Sequence, residues 1–186
     1  MKDFDIMPID IIDDKLQIEA WDLAFSKSSL YDSINQFILE NGTIRNLGEL
    51  IDINYEKYPI GKHERKHCFV AKSDKGEILG FLIMTAFDLN TSKPELFIQY
   101  VVINPLYHHQ GYGNEILTEL FSNFKKYIAV KPKNIFAYVH KDNDASKKLF
   151  SHFGFTFNAV PKTEYLTAST DGKSLKQNLE TQNQKI

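Results

Sequence analysis

The chain of 186 residues lacks the features that define several classes of protein. Its single cysteine, Cys68, has no partner for an internal disulfide, a pattern typical of reducing compartments. The longest nearly apolar stretch runs from Ile78 to Phe87, far short of the ~20 residues that a membrane helix needs. The acidic start MKDFDIMPID has neither the basic nor the apolar region of a signal peptide. These absences predict a cytoplasmic protein with no membrane partner.

Neither sign of charge dominates, because 22 Lys and Arg residues stand against 24 Asp and Glu residues. This balance disfavours a nucleic-acid binder, which needs a basic surface, and a disordered chain, which carries excess charge. Hydrophobic residues make up 42% of the chain, enough for a packed globular core. The acidic residues are concentrated in residues 1–60, which hold 12 acidic and 5 basic side chains. This segment is either a solvated helical surface or an acidic wall for a cationic substrate.

Hydrophobic periodicity predicts one domain over residues 1–167, followed by a polar, flexible tail over residues 168–186. Strands are predicted at Phe4–Ile9, His67–Ala71, Ile78–Phe87, Leu96–Ile103, Ile135–Val139, Phe155–Phe157 and Thr163–Leu166. Helices are predicted around Leu16–Ala24, Leu30–Ile38, Asn114–Ile128 and Asn143–Phe153, with one or two helical turns between Leu47 and Ile53. No unit of about 20–50 residues repeats, which excludes a solenoid.

The sharpest local feature is a predicted strand followed by the loop NPLYHHQGYGN, residues 104–114, and a long amphipathic helix. Gly111 and Gly113 allow a tight turn with exposed N–H groups, and the helix adds its own N-terminal donors and dipole. Such a loop can cradle an anion, although glycines also simply cap helices. The loop lacks the Lys-Ser or Lys-Thr of a Walker A loop and the third glycine of a Rossmann fingerprint, which disfavours ATP and NAD.

Two segments together resemble the GNAT family of N-acetyltransferases. The first is INPLYHHQGYG, from Ile103 to Gly113, where the family's phosphate loop has the pattern Q/R-x-x-G-x-G/A. The second is NDASKKLFSHFGF, from Asn143 to Phe155, where the family has N-x-x-A/S-x-x-L-Y-x-x-x-G-F. The likeness covers roughly Cys68 to Leu166. It implies an α/β (α+β) fold with a mixed, mostly antiparallel central sheet flanked by helices, and with two splayed adjacent strands that hold the cofactor.

The resemblance also implies a cosubstrate, acetyl-CoA, and a reaction. Its pyrophosphate would lie on the backbone of His109, Gln110, Gly111, Tyr112, Gly113 and Asn114. Its pantetheine would follow Val101, Val102 and Ile103, and Asn143 would contact the cofactor arm. The acetyl group would pass directly to a primary amine in a ternary complex, with no metal. The acidic residues 1–60 suggest a cationic acceptor, a small molecule or a peptide, such as a polyamine, an aminoglycoside, a peptide N-terminus or a lysine, and a homodimer is a possible assembly.

Two positions depart from the family patterns. His108 stands where the family has Gln or Arg, a change that is tolerable because main-chain donors hold the phosphates. Phe150 stands where many members carry the Tyr that protonates the leaving thiolate. This second departure leaves an alternative function open, namely a catalytically quiet acyl-CoA-binding or sensor module.

The general base is also not obvious. Neither Phe97 nor Tyr138 can replace the strand Glu that serves some members of the family as a base. An amine resembling Lys has a pKa of about 10.4, so a proton must leave before it can attack. The candidate relays are Tyr100, His140 and Tyr138, followed by Asp88 and Glu95.

A competing motif, His63-Glu64-Arg65-Lys66-His67, matches the H-E-x-x-H signature of zinc hydrolases. The motif needs a helix, whereas here a run of strand-forming residues starts at Cys68, and no clear third ligand follows. We therefore expect no metal at this position. Cys68 is expected to be a buried apolar residue rather than a nucleophile.

Overall fold

In a computed structural model of the chain, the described residues are 4–10, 12–24 and 65–183. The strands are β1 (Phe4–Pro8), β2 (Arg65–Ser73), β3 (Ile78–Phe87), β4 (Glu95–Ile103), β5 (Asn134–His140), β6 (Thr156–Ala159) and β7 (Tyr165–Asp171). The helices are α1 (Asp13–Ala24), α2 (Tyr112–Ser122), α3 (Phe124–Ile128), α4 (Asp144–His152) and α5 (Gly172–Asn183). The helix predicted at Leu30–Ile38 and the turns between Leu47 and Ile53 lie outside the described residues.

The strands form one mixed sheet of seven strands in the order β1-β2-β3-β4-β5-β7-β6. Strand β1 pairs antiparallel with β2, and β7 pairs antiparallel with both β5 and β6. Strands β4 and β5 are neighbours and run parallel. The predicted fold class, a mixed sheet flanked by helices, is confirmed.

The chain divides into two compact units, and the first contains the described residues 4–10, 12–24, 66–83 and 100–112. Its core consists of Ile9, Ile18, Trp21, Cys68, Val70, Ile78, Phe81, Ile83 and Val102. Helix α1 begins where the Asp10 carboxylate accepts the N–H groups of Ile12 and Asp13. Asp14, 1% exposed, forms an ion pair with Lys72, so its buried charge is compensated.

The second unit contains residues 65, 84–99 and 113–183 of the described chain. Aromatic rings dominate one part of its core. Phe121 of α2 lies 5.0 Å from Phe153 and 6.2 Å from Phe155 between ring centroids, and Phe150 of α4 lies 5.0 Å from Phe155. These contacts fix both helices around the turn at Gly154, whose φ is 76°.

The single helix predicted from Asn114 to Ile128 is wrong, because two helices, α2 and α3, occupy this segment. They are interrupted at Asn123, whose φ of −126° and ψ of 36° are not helical. The Asn123 side chain donates to the Glu119 carbonyl over 3.3 Å, and the same carbonyl accepts the Asn123 backbone N–H at 3.1 Å. Asparagine is a weak helix former, and apolar periodicity does not show where such a residue interrupts a helix.

The prediction of a tail without regular structure from Ala168 onwards is wrong for the described residues. Residues 168–171 complete β7, and residues 172–183 form α5. Leu175 and Leu179, four residues apart, are buried, and the Asn178 amide donates to the Phe153 carbonyl over 3.2 Å. Two leucines and one hydrogen bond anchor a helix that is otherwise polar, which is why composition indicated a tail.

Candidate functional site

The chain leaves β4 through an asparagine that fixes the start of the loop. Asn104 is buried; its Nδ2 donates to the Ile78 carbonyl and its backbone N–H donates to the Leu79 carbonyl, each over 2.9 Å. Its Oδ1 accepts the Leu106 N–H at 3.1 Å and caps the short 3₁₀ turn Pro105–Tyr107. This role was not among the predictions from the sequence, although an Asn directly before a Pro is a turn signal.

Two further side chains of the loop donate to backbone carbonyls. His108 Nε2 lies 2.9 Å from the Ile103 carbonyl, and because a carbonyl only accepts, this nitrogen must carry a proton. Gln110 Nε2 donates to the Leu106 carbonyl over 3.1 Å. His108, the first departure from the family pattern, is thus a donor within the loop.

The loop enters α2 through two residues in the left-handed region of backbone space. His109 has a φ of 60° and Gly111 a φ of 86°. Glycine adopts this conformation without strain because it has no Cβ. Helix α2 begins at the next residue, Tyr112. The predicted role of Gly111 in the turn is therefore confirmed.

Gly113 does not have the turn-forming role predicted for it. It lies in the first turn of α2 and is not among the residues with positive φ. The N–H groups of Tyr112, Gly113 and Asn114 belong to this turn, and such groups have no acceptor within their own helix. The positive end of the helix dipole lies at the same place. A residue without a side chain in this turn allows an anion to approach the backbone donors closely.

The three β4 residues predicted to contact pantetheine do not share one face. Val102 is 6% exposed and belongs to the core of the first unit, whereas Val101 and Ile103 are half-buried. Successive residues of a strand point to opposite faces. A Cβ added at Gly80 would lie 2.3 Å from the Val102 carbonyl, so β3 passes very close to this residue. Val102 can therefore offer a ligand little more than its backbone.

Strands β4 and β5 pair over a short distance. In the described part of both strands, the registered pairs are Glu95↔Asn134, Leu96↔Ile135 and Phe97↔Phe136. Strand β5 instead pairs with β7 along its whole length, up to His140↔Tyr165. The registered ladder between β4 and β5 thus ends at the pair Phe97↔Phe136.

Two of the candidate proton relays share one face of β5. Tyr138 is 53% exposed and His140 is half-buried two residues later. The Asp142 N–H donates to His140 Nδ1 over 3.3 Å, so a neutral His140 carries its proton on Nε2. Tyr100 belongs to the first unit, where it packs against the core. His140 therefore presents a donor rather than a base at Nε2, and Tyr138 carries the more exposed side chain.

The Asn143 side chain has a structural role at the start of α4. Its Oδ1 accepts the Ser146 N–H at 3.0 Å and so caps α4. Phe150, at the position of the missing general acid, is 4% exposed and packs on Phe155. Phe150 is therefore a core residue.

The last histidine of the competing zinc motif lies on a strand rather than on a helix. His67 lies on strand β2, where its ring stacks on Phe69 with centroids 5.8 Å apart. His63 and Glu64 lie outside the described residues. Cys68 is 2% exposed, and burial raises the pKa of its thiol to about 12, which makes it a poor nucleophile as predicted.

Most of the chain matches one protein-family model. The family model described as acetyltransferase (GNAT) family matches residues 30–155. The chain therefore belongs to the GNAT family and to the acetyltransferase class of proteins. No curated protein matches the chain significantly. No helix in the described ranges is long and apolar enough to cross a membrane.

Several solved structures share the fold. A protein described as an acetyltransferase of the GNAT family from Desulfovibrio desulfuricans is 12% identical, with a TM-score of 0.60, 91% of this chain and 99% of that chain being covered. Spermidine N-acetyltransferase SpeG from Vibrio cholerae, in a mutant form, is 11% identical, with a TM-score of 0.60. The match covers 92% of this chain and 95% of that chain. The ribosomal-protein-S18-alanine N-acetyltransferase from Escherichia coli is 14% identical, with a TM-score of 0.56. The match covers 89% of this chain and 90% of that chain. At these identities the likeness establishes the fold.

Proposed function

We propose that the protein is an N-acetyltransferase that moves the acetyl group of acetyl-CoA directly to a primary amine in a ternary complex. The observation that carries the proposal is the local chain from Asn104 to Asn114. An anchored loop, a left-handed Gly111 and the first turn of α2 together present backbone donors and a positive dipole end to an anion. These donors suit the pyrophosphate of acetyl-CoA.

The predicted relay side chains have defined tasks in this proposal. Acetyl-CoA supplies the activated acyl thioester. At pH 7 only about one amine in two thousand is neutral, so the proton must leave through water or a weak relay. Tyr138 is the exposed hydroxyl on β5, and His140 offers an N–H at Nε2. We assign both to orienting water and hydrogen bonding, and we assign most of the rate to alignment of the reactants.

Loss of the usual Tyr acid is compatible with catalysis. A thiol has a pKa of about 8.5, so its thiolate can leave with little help. A proton donor at the Phe150 position is therefore dispensable. The buried Phe150 is also the observation that favours the second candidate function, an acyl-CoA-binding module without turnover.

Turnover with a panel of amines separates these two functions. Release of the coenzyme A thiol would be followed continuously, and the acetylated amine would be identified by mass spectrometry. We expect thiol release that depends on the amine and equals the product formed. Binding of acetyl-CoA without any acetylated amine would make the protein the binding module.

A further inference from the structure

One face of the sheet in the second unit carries four aromatic rings in a continuous patch, which we call the aromatic face: Phe87, Phe97, Phe136 and Tyr138. Phe97 and Phe136 stack with centroids 5.0 Å apart and planes at 14°. Phe87 lies 6.5 Å from Phe136, and the Tyr138 ring lies 5.5 Å from Phe97 at an angle of 70°. The four rings come from three different strands, β3, β4 and β5.

The aromatic face is partly exposed, whereas the opposite side of the same strands is buried. Tyr138 is 53% exposed, and the three phenylalanines are each half-buried. The residues that alternate with them are almost completely buried, namely Leu96, Ile98, Ile135, Ala137 and Val139. Contiguous, partly exposed rings of this kind offer an apolar group a surface on which to bind.

The charges around the aromatic face indicate what kind of group it binds. Glu95, two residues before Phe97 on the same face, already accepts the Asn134 amide at 2.9 Å. Gln99, two residues after Phe97, accepts the Thr85 hydroxyl at 3.0 Å. Among the described residues, β4 carries no carboxylate from Phe97 to Ile103, and β5 carries none at all. Glu95 is therefore the one carboxylate of β4 and β5 on this face among the described residues, which suits a ligand with a single positive charge better than one with several.

The aromatic face also lies at the point where β4 and β5 stop pairing. The last registered pair is Phe97↔Phe136, so two of the four rings stand at the edge of this opening. Tyr138, a candidate proton relay, is the next residue of β5 on the same face. A molecule that rests on the rings would have its end beside the opening.

We propose that the acceptor is an amine joined to an aromatic or comparably apolar group, and that this group rests on the aromatic face with Phe97 and Phe136 as its main contacts. This inference rests on the proposed function, since it assigns the acceptor class for that reaction. It favours an arylalkylamine over a polyamine as the acceptor class.

The test compares 2-phenylethylamine with spermidine as acceptors. We expect wild type to show a kcat/KM for 2-phenylethylamine at least about tenfold higher than for spermidine, the size of effect that one apolar contact surface supplies. The substitution Phe97→Leu keeps an apolar side chain and should remove most of this preference. The matched control is Phe157→Leu, because Phe157 is a half-buried ring of β6 whose partner Ala168 is buried. Phe157→Leu should keep the preference.

A binding measurement supports the same comparison without turnover. With coenzyme A present, saturation-transfer NMR should show contact between the protein and the ring protons of 2-phenylethylamine, and this contact should weaken in Phe97→Leu. Acetylation of spermidine in preference to 2-phenylethylamine would overturn this inference and leave the proposed function intact. Acetylation of neither amine nor of any other would overturn both. An equal loss with both amines in Phe97→Leu, together with a change of oligomeric state, would make the aromatic face a contact between copies of the chain and overturn the inference.

Discussion

At the scale of single residues, Asn143 combines two tasks in one amide. Its oxygen caps α4, while its nitrogen has no recorded bond among the described residues and is the group we propose for contact with the cofactor arm. Ser caps helices as well as Asn but has no amide, so Asn143→Ser should keep the unfolding free energy within a few tenths of a kcal/mol. Asn143→Ala should lower it by about 1 kcal/mol.

Both Asn143 variants should bind acetyl-CoA more weakly, by about fivefold to tenfold, if the nitrogen contacts the cofactor. Chemical denaturation measures the first effect and calorimetric titration the second. Unchanged affinity in Asn143→Ser would restrict Asn143 to the capping role.

Phe150 tests whether the enzyme needs a general acid. If departure of the thiolate does not limit the rate, Phe150→Tyr should change kcat by less than about tenfold, well below the ~10²–10⁴ of a fully used acid. Phe150→Ala should mainly destabilise the fold, by roughly 3–5 kcal/mol, because the ring is buried. An inactive wild type that Phe150→Tyr activates by orders of magnitude would instead identify the native protein as the binding module.

At the scale of elements, α5 is held against the turn that follows α4. A Cβ at Gly154 would lie 1.9 Å from Asn178 Nδ2, and the φ of Gly154 is 76°. Gly76 has a nearly identical φ of 79° but nothing within 4 Å of such a Cβ. Gly154→Ala and Gly76→Ala therefore carry the same backbone cost and differ in the contact with α5.

We expect Gly76→Ala to lower the unfolding free energy by about 1–2 kcal/mol, and Gly154→Ala to lower it further. Adding Asn178→Ala to Gly154→Ala should recover part of the extra loss, since the obstructing amide is gone. An equal loss of unfolding free energy in the two glycine variants would show that the contact between this turn and Asn178 of α5 does not affect stability.

The elements differ in how far their sequences predict them. Strands such as β3 and β4 were predictable within one residue, because apolar and β-branched residues run uninterrupted between turn signals. The break at Asn123 was not predictable, since the apolar residues on both sides of it continue one helical pattern. Helix α5 was not predicted because its anchoring contacts come from residues distant in sequence, such as Phe153.

At the scale of the whole molecule, the family and the fold class followed from two short motifs, because those motifs carry the backbone geometry of the phosphate loop. The motifs did not give the anchoring of Asn104, which depends on carbonyls of β3. Nor did they give the aromatic face, which brings together rings from three strands. Sequence patterns specify local backbone structure, whereas a binding surface depends on strand order and register.

The substitution Gly113→Val tests the central claim most directly, namely that the first turn of α2 holds the pyrophosphate of acetyl-CoA. Gly113 lies within the helix and not in the left-handed region, so a valine there adds a side chain without the backbone strain that Gly111→Val would cause. The measurement is the thermal shift of each protein over a range of acetyl-CoA concentrations, with circular dichroism to confirm folding. We predict a wild-type shift that grows with the logarithm of acetyl-CoA concentration, and a folded Gly113→Val protein that shows none. A shift of equal size in the two proteins would contradict the account.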